Sequence, residues 1–116
     1  MSSDDIARQA ALRLGDELDR SLPAVVEAQV QAGGTPPQRY EAATTIALAS
    51  LILSATKFAW DIYRDLKKDT KAAPSPDVIA RRMRLELNVA EDVSVERRDR
   101  VIAVVVDELM EQPPVT

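Results

Sequence analysis

The one stretch with the spacing of a nucleophile and its base is Ser54-Ala55-Thr56-Lys57. Ser-x-x-Lys sets a hydroxyl one helical turn from an amine that can take its proton, an arrangement used in one group of acyl-transfer enzymes. Such enzymes also carry Ser-Asp-Asn and Lys-Thr-Gly elements on a much larger fold. Neither element occurs in these 116 residues, so Ser54 reads as a small packing residue. Gly33 and Gly34 precede a helix start, where backbone N–H groups can hold an anion. No Gly-Lys-Ser or Gly-Lys-Thr follows them, and a plain turn is the better reading.

The chain contains no His and no Cys. That removes the commonest general base and metal ligand, every Ser-His or Cys-His nucleophile, and any disulfide or thiolate site. Di-iron sites of helical bundles also fail, because they require Glu-x-x-His pairs. Carboxylates gather at Asp16, Glu17 and Asp19, at Glu91 and Asp92, and at Asp107, Glu108 and Glu111. None has the spacing of an EF-hand loop, so they read as solvated helix faces. No cofactor, metal or catalytic residue is expected, and the reading is of a protein that is not an enzyme.

The basic residues concentrate at Arg81, Arg82, Arg84, Arg97, Arg98 and Arg100, and Asp77, Glu86, Glu91, Asp92, Glu96 and Asp99 match them in number within the same segment. The net charge is −4. Binding through phosphate neutralisation needs a basic surface, so no nucleic-acid partner is expected and the arginines are read as a salt-bridged surface between two helices. The start, Met1-Ser2-Ser3-Asp4-Asp5, lacks the basic-then-apolar order of a signal peptide, which makes a cytoplasmic location the expectation. Arg outnumbers Lys, and Ala and Val are abundant, a habit of GC-rich bacterial genomes.

Apolar residues make up 46% of the chain but aromatics only 3%, so a core must be built from Ala, Val, Leu and Ile, which favours an all-α single domain of close-packed helices. Four helices are expected. Ser3 caps the first, with Asp4 and Asp5 in its first turn and Ile6, Ala10, Leu14 and Leu18 on one stripe. Pro23, with Ser21 as a fresh cap, kinks this helix or divides it near residues 21–23 before it runs on through Val25, Val26 and Val30 to about residue 32.

Gly33-Gly34-Thr35-Pro36-Pro37 is the strongest punctuation, and Thr35 with Gln38 has capping-box spacing. The second helix is expected over about 36–72, closed by Pro74 and Pro76, and about 50 Å long. A third runs over 76–89 with Ser75 as cap and Ile79, Met83 and Leu87 inward. Its end is ambiguous, because Leu85, Leu87 and Val89 alternate with polar residues as a strand would. A fourth runs over 94–112 from Ser94, with Val101, Ile102, Val105 and Leu109 on one face and Glu96–Arg100 as an i,i+4 pair. Residues 113–116 form a tail.

The second helix dominates the reading. From Ala42 to Trp60 only Lys57 is charged, and Leu48, Ile52, Ala55, Ala59, Ile62 and Leu66 keep the four-three spacing of a heptad seam. Ile46, Leu53 and Trp60 lie on another face at seven-residue spacing. Such a helix needs cover on several sides. Tyr40 and Trp60 are separated by about the span of a bilayer core, so a single membrane span over 42–60, with an inner-membrane location, is the alternative. Against it, Ser50, Ser54 and three Thr residues dilute the run, and the seam continues past the aromatic border.

The expected function is therefore a helical interaction module, an oligomerising adaptor or accessory subunit of a bacterial system that binds a protein partner or a second copy. Its expected surface is Leu48, Leu51, Ile52, Ala55, Phe58, Ala59, Ile62 and Leu66, in coiled-coil or helix-in-groove fashion. Asp61, Arg64, Asp65 and Lys68 would add specificity.

Overall fold

A computed structural model describes residues 3–32, 43–70, 74–87 and 93–112. The described residues are 88% helical, with five helices and no strand. These are α1 (Ser3–Glu17), α2 (Leu22–Gln31), α3 (Ala43–Thr70), α4 (Pro76–Glu86) and α5 (Val95–Glu111). The Gly33–Gly34 turn, the Thr35–Gln38 capping box, Tyr40, residues 36–42 and 71–72 of the expected second helix, residues 88–92 and the tail lie outside the described residues.

At 28 residues α3 is about 42 Å long, nearly the 46 Å of the longest axis of the molecule. It touches each of the other four helices. The apolar seam makes this possible, because residues every three and four positions present one continuous stripe to the short helices beside it.

The expected stripe of α1 is found, with Ile6, Ala10 and Leu14 buried. Ala7, Ala11 and Gly15 are buried with them and let neighbours come close. The first expected helix does not continue past Pro23 at a kink; the chain reverses. Arg8 Nε lies 2.6 Å from Glu27 Oε2, whereas nineteen residues of continuous helix would separate them by roughly 28 Å. α1 and α2 thus form a hairpin, and there are five helices rather than four.

The reversal has a local cause. Pro23 sits in the first turn of α2 with its ring against Gly15, where an added Cβ would stand 3.0 Å from Pro23 Cδ. Ser21 occupies the cap position but its side chain makes no cap bond; instead its N–H donates to Asp19 Oδ1 at 2.8 Å. The hydroxyl of Thr45 donates to the other oxygen of Asp19 and ties the connector to the start of α3.

Ser75 and Ser94 lie at the expected cap positions, and only Ser94 uses its side chain, accepting from Arg97 N–H at 3.2 Å. α4 ends at Glu86 rather than 89, and Leu87 is already extended. The alternation around Leu85 therefore marks a helix end. In α5, Val101, Ile102, Val105 and Leu109 are buried as expected, together with Val104, Val106 and Glu108, because α1, α3 and α4 all pack on this helix.

Candidate interaction surface

Six of the eight expected surface residues, Leu48, Leu51, Ile52, Ala55, Ala59 and Ile62, are buried beneath the chain's own helices, while Phe58 and Leu66 are half-buried. The heptad seam is the intramolecular core of the isolated chain. The sequence reading placed an outside partner where α1, α2, α4 and α5 lie, since four short helices suffice to cover one face of a long one.

The opposite face of α3 is the open one. Ile46, Ser50, Leu53, Lys57 and Trp60 recur every three or four residues along it; Lys57 is exposed and the others are half-buried. Ser54 beside them is exposed. Beyond Trp60 this side turns polar, with Asp61, Arg64, Asp65 and Lys68 exposed around a shallow depression. None of these four makes an ion pair with a described residue. Other exposed apolar side chains, Leu12, Val78, Leu85 and Val95, are scattered over α1, α4 and α5, as is usual on a protein surface.

Between α2 and α3 the open face holds a notch of about 170 Å³ lined by Gln29, Ser50, Leu53, Ser54 and Lys57. Gln29 is 1% exposed, yet its amide nitrogen has no hydrogen-bond partner. Its carbonyl oxygen accepts from the Ser50 hydroxyl at 3.4 Å. Leaving buried amide donors unpaired costs about 1–3 kcal/mol, so the arrangement calls for a reason. Sequence reasoning missed Gln29, although the signal was present. It follows Leu22, Val25 and Val26 at core spacing on α2, a polar residue in an apolar stripe.

The Ser54–Lys57 pair shares the same face, with no hydrogen bond between the two side chains. Thr56 between them is buried and donates its hydroxyl to Ile52 O at 2.7 Å. Acidic residues near the ends of α1 and α5 act as ties between helices. Glu17 binds Arg100 at 2.5 Å, and Asp107 and the buried Glu108 bind Arg13 at 3.2 and 3.1 Å. The Arg100 guanidinium holds the Glu17 carboxyl below the ordinary carboxylate range, and Arg8 does the same to Glu27. Asp19 is lowered chiefly by the Thr45 hydroxyl and then by the Ser21 N–H.

The arginine-rich segment is wired differently from expectation. Arg82 pairs with Glu86 on its own helix at 3.6 Å, and Arg98 with its neighbour Asp99 at 2.8 Å. Arg100 reaches α1 rather than Glu96. No ion pair joins α4 to α5 among the described residues. No family model matches this chain, and neither a curated protein nor a solved structure does.

Proposed function

We propose that this protein is a non-enzymatic helical interaction module, an adaptor or accessory subunit of a bacterial assembly, and that it meets a protein partner through the open face of α3. The observation that carries this reading is the uneven cover of one apolar helix. Its seam is sealed by four helices, while Ile46, Leu53 and Trp60 on the far side keep part of their surface in solvent. Half-covered apolar groups arrayed at helical spacing are what a helix-in-groove contact uses. The polar half of the same face, Asp61 to Lys68, supplies charges of both signs for orientation.

Site-specific photo-crosslinking in the native cell tests the reading. A crosslinking side chain at Leu53 or Lys57 gives a discrete adduct, and one at the exposed Gln9 of α1 gives none. Absence of adducts at 53 and 57 refutes the proposal. Light scattering of the purified chain, with and without Leu53→Asp, separates a second copy from another protein as the occupant.

One observation favours a second reading. Thr44–Asp69 is long and apolar enough to cross a membrane, though half of its apolar window is buried within the bundle. A spanning α3 would have to shed the helices that cover its seam. Recovery of the full chain in the membrane fraction after carbonate extraction supports that reading, and recovery in the supernatant excludes it.

A further inference from the structure

We propose that the notch between α2 and α3 recognises a carboxylate, an Asp or Glu side chain carried by the protein partner; the inference rests on the function proposed above. The groups that line the notch are chiefly donors. Gln29 is one lining residue, and its amide nitrogen, closed off from solvent in the free chain, has no partner; Lys57 brings an ammonium and Ser54 a hydroxyl. Leu53 forms the apolar wall. The described carboxylates do not answer this demand. No described acidic residue lines the notch, and Asp61, one turn beyond Lys57, opens instead onto the depression with Arg64, Asp65 and Lys68.

A carboxylate matches this lining in charge and in geometry. Its single negative charge balances the single ammonium of Lys57, and its two oxygens offer about four lone-pair sites to the donors. Small-molecule sites usually enclose about 300–1,000 Å³, so a notch of about 170 Å³ suits one side chain better than a free metabolite. The methylenes of a Glu or Asp would lie on Leu53. A second copy is the poorer occupant. Two α3 faces crossing antiparallel at Leu53 bring the second copy's Lys57 ammonium, and no carboxylate, toward the Gln29 amide.

The Gln29 amide then has a physical reason to be buried and unpaired. It turns outward to an acceptor that arrives with the partner, and its strength as a donor rises in the low-dielectric setting between two helices. Removing it should make the free chain more stable while removing recognition.

The test uses the full-length, isotopically labelled chain and a matched pair of probes, N-acetyl-glutamic acid N-methylamide and its glutamine counterpart, at constant ionic strength. The side-chain amide signals of Gln29 shift saturably with the glutamate probe and stay still with the glutamine probe and with sodium chloride. Lys57→Gln, an exposed change, weakens the glutamate response about two- to fivefold. Gln29→Met keeps the volume, abolishes the accompanying glutamate-induced shift of the Ser54 and Lys57 backbone amide signals and raises the melting temperature by about 4 °C. Equal responses to both probes, no response, or a Gln29→Met chain that melts lower than wild type overturns the proposal.

The photo-crosslinking experiment keeps the two readings apart. Adducts at Leu53 without a glutamate response leave the interaction module standing and remove the carboxylate notch. A glutamate response without adducts removes the partner and, with it, the side-chain source assigned here.

Discussion

Ile52 and Leu53 are adjacent in sequence, about 100° apart around α3, one buried and one half-buried, which makes their alanine variants a direct measurement of where the bundle ends. Ile52 has no solvent exposure. Truncation to Ala deletes three carbons, and at about 0.8 kcal/mol per buried methylene the lost transfer energy is roughly 2.4 kcal/mol. A residual cavity of about 60 Å³ at about 24 cal/mol per Å³ adds roughly 1.4 kcal/mol. The total is about 4 kcal/mol, a large share of the roughly 5–15 kcal/mol by which a small domain is stable. With a urea slope of about 1.5 kcal/mol per M, the midpoint falls by about 2.5 M. Leu53 is half-buried and its truncation opens no closed cavity, so Leu53→Ala costs about 1 kcal/mol. Urea titration followed by circular dichroism at 222 nm gives both values, and light scattering of the same samples gives the mass. If Ile52→Ala costs no more than Leu53→Ala, or lowers the mass at an unchanged midpoint, the seam is an interface between chains and the packing argument is wrong.

Gly15→Ala should lower stability by about 1 kcal/mol. The helix-propensity gain of up to about 1 kcal/mol is outweighed by overpacking against the rigid Pro23 ring 3.0 Å away. A rise in urea midpoint would show that the α1–α2 turn can relax. Arg13→Met leaves the Glu108 carboxylate buried without its partner and costs about 1–2 kcal/mol, part of which a further Glu108→Gln change recovers. Thermal melts of the single and double variants measure this. The lowered carboxyl of Asp19 contributes stability fully above the unfolded value near about pH 4 and loses it as pH falls through the folded value. Thr45→Val should therefore destabilise the chain at pH 7, with the difference from wild type shrinking toward zero in acid. A pH-independent difference in urea midpoint would mean that the hydroxyl acts through packing alone.

Periodicity and punctuation made most of the helices legible. The stripes Ile6–Ala10–Leu14 and Val101–Ile102–Val105–Leu109 are buried as their spacing requires, and Ser75 and Ser94 stand at the helix starts they mark. Pro23 signalled an interruption, but the angle of the turn depends on the contact of its ring with Gly15 and on Asp19 reaching Thr45 across 26 residues. Ion pairs were not legible even where i,i+4 spacing favoured one, as it did for Glu96 and Arg100. Arg82–Glu86 has i,i+4 spacing and was not singled out, whereas Arg100 chose Glu17, 83 residues away, over Glu96. Long side chains reach whatever charge the packed neighbour presents, and spacing along one helix carries no record of that neighbour.

The sequence alone determined that the chain is all-α, that one long apolar helix organises it, and that this helix has two apolar faces of different makeup. Those properties follow from the positions of apolar residues within a period of 3.6, which is local information. Which face is core and which stays half in solvent was decided only by tertiary structure, because burial is allotted by the helices that happen to pack alongside. The heptad seam went inward under α1, α2, α4 and α5, and Ile46, Leu53 and Trp60 stayed half in solvent. Gln29 shows the same division. Its place in an α2 stripe could be read from spacing, but its unpaired amide depends on how α3 packs over it, with the Ser50 hydroxyl meeting the carbonyl oxygen and leaving the nitrogen without a partner.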